Sequence, residues 1–282
     1  MESLRLMLIT NDAGIAAHAI ASGVDRIFVD LETLGKEERQ GHLDTHRAMH
    51  TPDDVGTLRR ALPEASLLAR VNPLYAGSAG EVDAVITAGA DHVMLPMFMS
   101  AEEVGTFLDL VDGRAGTTLL LETPQALTRI DDILEHHARI DEVHVGLNDL
   151  HLGMGLDFMF ELLSGGVVEY LAGKIRARGI RFGFGGIACV GEGAVPAELV
   201  IGEHVRLGSE MVILSRSFHG QARTVEELRE RLDLADEVQK VRACEAAFRS
   251  APAEELEHNR CLLRRAVRSV VQRRRAQAEV SA

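Results

Sequence analysis

Two acidic residues at the ends of apolar runs carry the first chemical signal in this chain. Leu119-Leu120-Leu121 has the character of an interior strand and stops at Glu122, where Thr123-Pro124 ends the strand and opens a helix. A second run, Val143-His144-Val145-Gly146, passes into Leu147-Asn148-Asp149-Leu150, with Gly153 and Gly155 just beyond. Glu122 and Asp149 would then share one rim of a sheet. Two carboxylates held close together repel, so they need a cation, a shared proton or a strong hydrogen-bond network. A divalent metal ion is the reading pursued here.

The elements that must position this pair recur with a regular rhythm. Short apolar runs cover residues 4–10, 25–31, 66–71, 92–95, 117–121, 142–145, 181–184 and 211–214, with helix-length amphipathic segments between them. Eight strands alternating with helices predict a (β/α)8 TIM barrel, with a doubly wound open sheet as the competitor. A barrel places its chemistry at the carboxyl ends of the strands. Those positions hold Asn11, Glu32, Arg70 with Asn72, Pro96 with Met97, Glu122, Asp149, Gly185 with Gly186, and Ser215 with Arg216. The connection from Glu32 to Asp54 is long and carries Lys36, His42, Asp44, His46 and His50, a length that is usually functional or mobile.

The barrel is expected over residues 1–222 and a C-terminal helical extension over 223–282. Within the extension, residues 224–249 and 252–275 read as two helices. The second has an apolar stripe of Leu262, Leu263, Val267, Val270 and Val271, surrounded by arginines such as Arg264, Arg274 and Arg275. In an acidic protein such a basic arm most simply packs on a neighbouring subunit's negative surface.

Composition narrows the function classes. At 282 residues and 46% hydrophobic content the chain can fill a large core. A formal net charge of −13 argues against nucleic acid and membrane surfaces as partners. Cys189, Cys244 and Cys261 have no metal-site spacing and read as reduced thiols of a cytoplasmic protein, in keeping with the lack of a signal-peptide pattern after Met1. No run approaches the ~20 apolar residues of a membrane span. The only lysines are Lys36, Lys174 and Lys240, and none ends an expected strand, which speaks against Schiff-base chemistry.

Several stretches, in this order, resemble the HpcH/HpaI aldolase and citrate lyase beta-subunit family of pyruvate-binding barrels. They are Phe28-Val29-Asp30-Leu31-Glu32, Ala69-Arg70-Val71-Asn72, Gly89 to Met97, Leu121-Glu122-Thr123-Pro124-Gln125-Ala126-Leu127 and Val145-Gly146-Leu147-Asn148-Asp149-Leu150. The resemblance implies a metal held by Glu122 and Asp149, with Arg70 facing the oxo-acid end of the substrate. It also implies a homo-oligomer in which the C-terminal helix exchanges between subunits. An all-oxygen donor pair suits Mg²⁺ or Mn²⁺. The expected reaction is carbon–carbon lysis or formation of a hydroxy-oxo-acid through a pyruvate-like enolate, with a pyruvate or oxaloacetate fragment as the small-molecule partner. Glu32, Pro96, Met97 and Asn148 are expected to line the substrate.

The chain departs from the family pattern in one place. Aldolase members carry Glu-His after the second strand where this chain has Glu32-Thr33, so His42 and His46 are inferred as substitute bases, with His50 also in that loop. Asp30-Leu31-Glu32-Thr33 goes halfway to the Asp-Leu-Glu-Asp of members that act on acyl-CoA thioesters. A thioester lyase of the citrate lyase beta or malyl-CoA lyase type therefore stands as the alternative, beside a non-catalytic oxo-acid-binding homologue. Phe182-Gly183-Phe184-Gly185-Gly186 could cradle a phosphate after the seventh strand, but tight packing is the favoured reading of these glycines.

Overall fold

The fold is seen in a computed structural model, which describes residues 3–35, 50–220 and 222–281. Eight parallel strands close into a barrel in chain order: β1 (Arg5–Ile9), β2 (Arg26–Asp30), β3 (Ser66–Arg70), β4 (His92–Leu95), β5 (Gly116–Leu121), β6 (Glu142–Val145), β7 (Arg181–Ile187) and β8 (Met211–Leu214). The open-sheet competitor is thereby excluded, because β1 pairs with β8 as well as with β2.

Strand period decides what fills the barrel. Alternate residues point inward, and three levels result. Met7, Phe28, Leu68, Met94, Leu120 and Met211 form an apolar middle layer separate from the outer core. Below it the fully buried Glu142 accepts two bonds from Arg26, Nη1 to Oε2 at 2.6 Å and Nη2 to Oε1 at 3.0 Å, with Arg5 and Thr118 on the same carboxylate. Burial alone would raise this carboxyl, but the Arg26 bonds and charge, helped by His92 and Arg5, hold it down to about 2. Two residues above the apolar layer on the same strands stand Asp30, Arg70 and Glu122, so the alternation that builds the core also aims the polar rim.

Several connections differ from the sequence reading for local reasons. β7 runs three residues past the expected Phe184 and shifts register between Gly183 and Gly186. Gly183 has no room for a side chain, since a Cβ would lie 2.1 Å from Met211 Cγ, and Gly185 takes a left-handed φ of 49° against Leu147. These contacts are of the packing kind. The segment around residues 158–178 breaks into two helices, Glu161–Ser164 and Val167–Ala177, because Gly166 takes φ 84° between them. Asp233 splits the first C-terminal segment, capping the helix Leu234–Ser250 through Asp236 N–H.

The last helix, Ala253–Ser281, buries Leu263, Val267 and Val270. In the single chain it lies on its own barrel's helix Ala197–Leu207, where Asn259 donates to the Leu199 carbonyl at 3.0 Å and fills the space that Gly202 leaves. Among the described residues no helix is long and apolar enough to cross a membrane.

Candidate active site

Arg70 ends β3 opposite Asp30, which ends β2, and the two are paired residues of adjacent strands. The register presents the guanidinium side-on to the carboxylate, with Nε to Oδ1 at 2.8 Å and Nη2 to Oδ2 at 2.7 Å. Nη1 lies 3.3 Å from Glu32 Oε2, and the Phe28 ring lies 5.7 Å from the guanidinium carbon. Burial would lower the Arg70 pKa, but Asp30, Glu32 and Glu122 together raise it, so the group stays a fixed cation. A guanidinium has five N–H bonds, of which Asp30 accepts two while Glu32 makes an ion pair on the Nη1 side. The remaining N–H bonds lie on its Nη1 and Nη2 nitrogens, a fork suited to a planar oxyanion.

The β2 exit is held by its own network. Asn72 Oδ1 accepts from Thr33 N–H at 2.8 Å and Leu34 N–H at 2.9 Å, while Asn72 Nδ2 donates to Glu81 at 2.8 Å. Asp30 Oδ1 accepts from Glu32 N–H at 3.2 Å, and Asp30 N–H donates to His50 Nδ1 at 2.9 Å. A neutral histidine that accepts at Nδ1 carries its proton on Nε2. His50 therefore ties the backbone of Asp30 at the end of β2. His42 and His46, expected as bases, lie outside the described residues, as does Lys36.

Glu122 follows β5 and is 3% exposed. Thr123 caps the helix that follows, accepting from Ala126 N–H at 3.1 Å and donating to the Phe98 carbonyl at 2.7 Å, so the strand exit is fixed on both sides. Met97 N–H donates to Glu122 Oε1 at 3.2 Å. Met97 takes φ 55°, a left-handed conformation that costs a non-glycine residue about 1–2 kcal/mol. Pro96 is buried at the end of β4, and Met97 touches the site through its backbone.

The other oxygen, Oε2, faces Gly146. A Cβ there would lie 2.7 Å from Oε2 and 2.8 Å from Glu122 Cβ, so glycine is what lets this carboxylate sit against β6. Asp149 is the third residue of the helix Leu147–Gly153 that follows, with Asn148 half-buried beside it. Burial first, then the charges of Asp149 and Glu32, push Glu122 up to about 8 despite the opposing pull of Arg70 and the Met97 N–H.

The mouth thus gathers Asp30, Glu32, Glu122 and Asp149 around Arg70, and Asp30 already pairs with that arginine. Among the described residues no group of three or more histidine, cysteine or acidic side chains forms a complete cage. A hard cation that keeps several waters needs only one or two carboxylates. The cradle that Gly146 leaves beside Glu122 Oε2, the Asp149 charge and the all-oxygen donors fit such an ion.

The sequence reading missed Asp30 as the partner of Arg70 and Gly146 as the cradle of Glu122. The signal for Asp30 was its place two residues after inward-facing Phe28, level with Arg70. The two described lysines lie away from the mouth: Lys174 pairs with Asp131 at 2.6 Å on the outer helices, and Lys240 pairs with Asp236 and Glu237.

Comparison with known proteins now adds to this geometry. The family model for HpcH/HpaI aldolase/citrate lyase matches residues 5–159, from β1 to just beyond the Asp149 helix. An HpcH/HpaI aldolase from Desulfitobacterium hafniense DCB-2 superposes with a TM-score of 0.59 at 17% identity, covering 89% of this chain and 95% of that one. An HpcH/HpaI aldolase/citrate lyase family protein from Burkholderia cenocepacia J2315 gives 0.56 at 13% identity, covering 88% and 95%. At such identities the likeness shows the fold. A pyruvate kinase from Methylorubrum extorquens is 35% identical over 78 residues, which is 28% of this chain and only 16% of that enzyme's length.

Proposed function

Because the chain belongs to the HpcH/HpaI aldolase/citrate lyase family, a family of lyases, we propose that the barrel mouth is the active site of a divalent-metal-dependent carbon–carbon lyase. Its substrate is a hydroxy-oxo-acid that releases, or is built from, a pyruvate-like fragment. One observation carries this reading: a fixed arginine, whose remaining Nη N–H groups no described residue accepts, stands beside a buried carboxyl whose charge is opposed by a second carboxylate.

Cleavage beside a carbonyl needs the hydroxyl proton removed as the carbon–carbon bond breaks, and the bonding electron pair moves onto the oxo-acid fragment as an enolate. Protonation of that fragment at carbon then completes pyruvate. The charge that develops on the oxygen is the main electrostatic demand. Arg70 meets it with the Nη fork, and the Asp30 pair keeps that fork from rotating away. Glu32, 3.3 Å from Nη1, limits which way a substrate carboxylate can approach. Glu122 and Asp149 would hold Mg²⁺ or Mn²⁺, which supplies positive charge to the keto and carboxylate oxygens of the substrate.

The test is pyruvate or oxaloacetate release from a panel of hydroxy-oxo-acids and acyl-CoA thioesters, with Mg²⁺ or Mn²⁺ and with excess chelator, beside the Glu122→Gln/Asp149→Asn double variant. Chelator-sensitive release that the double variant lacks supports the proposal. Release that survives both treatments overturns it.

A further inference from the structure

The arginines near the end of the chain do not face solvent idly. Arg274 Nη1 donates to the Asp157 carbonyl at 2.7 Å, and its guanidinium carbon sits 4.6 Å from the centre of the Phe158 ring. Arg275 Nε donates to Asp157 Oδ2 at 2.6 Å, and Arg264 Nε reaches the Ser164 carbonyl at 3.1 Å. The C-terminal helix therefore grips the segment that leaves the Asp149 helix.

That segment is tied back to Asp149. Leu156 N–H donates to the His151 carbonyl at 2.9 Å, and the buried His151 ring bonds the Leu147 carbonyl at 3.2 Å and that of Asn148. Phe158 is 4% exposed and packs edge-on against Phe160, with ring centres 5.4 Å apart. The Asp149 helix has only seven residues, too few to hold itself in place. On the Glu122 side it is set by Gly153, where a Cβ would lie 2.9 Å from Pro124 Cδ. Leu147, Leu150 and His151 bury its inner face, and on its exit side Phe158 N–H donates to Glu161 Oε2 at 2.9 Å while the C-terminal helix adds the Arg274 contacts to Asp157 and Phe158.

The two arginines differ in weight. The Arg275–Asp157 pair is open to water, with 67% and 39% of the side chains exposed, and such pairs contribute little. Arg274, though exposed, makes two contacts with one guanidinium, joining a backbone carbonyl to the face of the buried Phe158 ring.

We propose that Arg274, delivered by the C-terminal helix, is a positioning residue that sets the place of Asp149 through Asp157 and Phe158. This rests on the reading of Asp149 as a metal ligand. The basic arm then serves the barrel mouth from some 120 residues away in sequence, rather than a nucleic acid or other external polyanion.

The test is Mn²⁺ affinity by titration calorimetry on the full chain, with hydrogen exchange of the peptide spanning residues 147–160 alongside. Asp149→Asn is expected to lose Mn²⁺ binding. Arg274→Ala is expected to weaken it about tenfold, the lower range for groups that orient metal ligands, and to speed exchange in that peptide with the barrel strands unchanged. Arg274→Lys should recover part of both effects, and Arg275→Ala should stay within about twofold of the parent. If Asp149→Asn loses the ion while Arg274→Ala binds like the parent, the positioning role is wrong and the metal reading stands. If Asp149→Asn binds like the parent, the metal reading fails and takes this proposal with it.

Discussion

Replacing Glu122 by glutamine should make the metal-free protein more stable in alkali while abolishing its response to metal. The carboxyl is 3% exposed, and burial with the nearby Asp149 and Glu32 charges lifts it from 4.5 to about 8. A raised folded-state value means that the native state binds this proton more tightly than the unfolded chain does. Below pH 4.5 both states hold the proton and no penalty arises. Between there and about pH 8 the unfolded chain has released it and the native state has not, so stability falls by about 1.4 kcal/mol per pH unit. Worked between pH 5 and pH 9, the loss is about 4 kcal/mol. Glutamine has nearly the same shape, still offers an oxygen to Met97 N–H and cannot ionise. Urea unfolding with excess chelator should therefore show the stability of Glu122→Gln relative to the parent improving by about 4 kcal/mol across that pH range, because all other titrations cancel in the difference. Saturating Mn²⁺ should stabilise the parent and leave the variant where it was. A pH-independent difference between the two proteins would refute the argument, since it would mean that Glu122 is already ionised at neutral pH.

Other substitutions test the remaining parts of the site and its scaffold. Gly146→Ala puts a methyl 2.7 Å from Glu122 Oε2, so the carboxylate must move. Mn²⁺ affinity should fall about 10-fold or more with the far-ultraviolet circular dichroism unchanged. Arg70→Lys keeps the charge but loses the side-on pair with Asp30 and the Nη fork. Turnover on any accepted substrate should drop about 100-fold, the scale for one lost oxyanion donor, with a smaller change in KM. At the closed end of the barrel, Glu142 is held down to about 2, so the stability it supplies is present above pH 4.5 and is lost as pH falls toward 2. Glu142→Gln leaves Arg26 buried without its anion and should cost about 3–5 kcal/mol at neutral pH, read from urea midpoints, with the cost shrinking in acid.

The architecture was legible because it is written in short-range pattern. Eight apolar runs spaced by helix-length segments imply a wound parallel sheet, and the polar residues that end them imply a working rim; the strands β4 and β6 start and stop as the runs do. What escaped is three-dimensional. Closure is decided by β1 meeting β8, some 200 residues apart, which no local signal reports. The Asp30–Arg70 pair depends on register between strands separated by the long second connection, and the cradle at Gly146 depends on how closely β6 approaches Glu122. The basic C-terminal stripe shows the limit most clearly. Its arginines predicted a negative surface on a neighbouring subunit, and within the single chain three of them, Arg264, Arg274 and Arg275, also meet backbone carbonyls, the carboxylate of Asp157 and the ring of Phe158. Charge pattern reveals that a cation will be satisfied, not by what. Glu122 follows the same logic in reverse. Its acidity was read as a need for a partner, and only the packed structure shows that Arg70, the nearest cation, is already engaged by Asp30. The gathering of carboxylates at the mouth is therefore a property of the fold, and it is the feature on which the proposal of a bound cation rests.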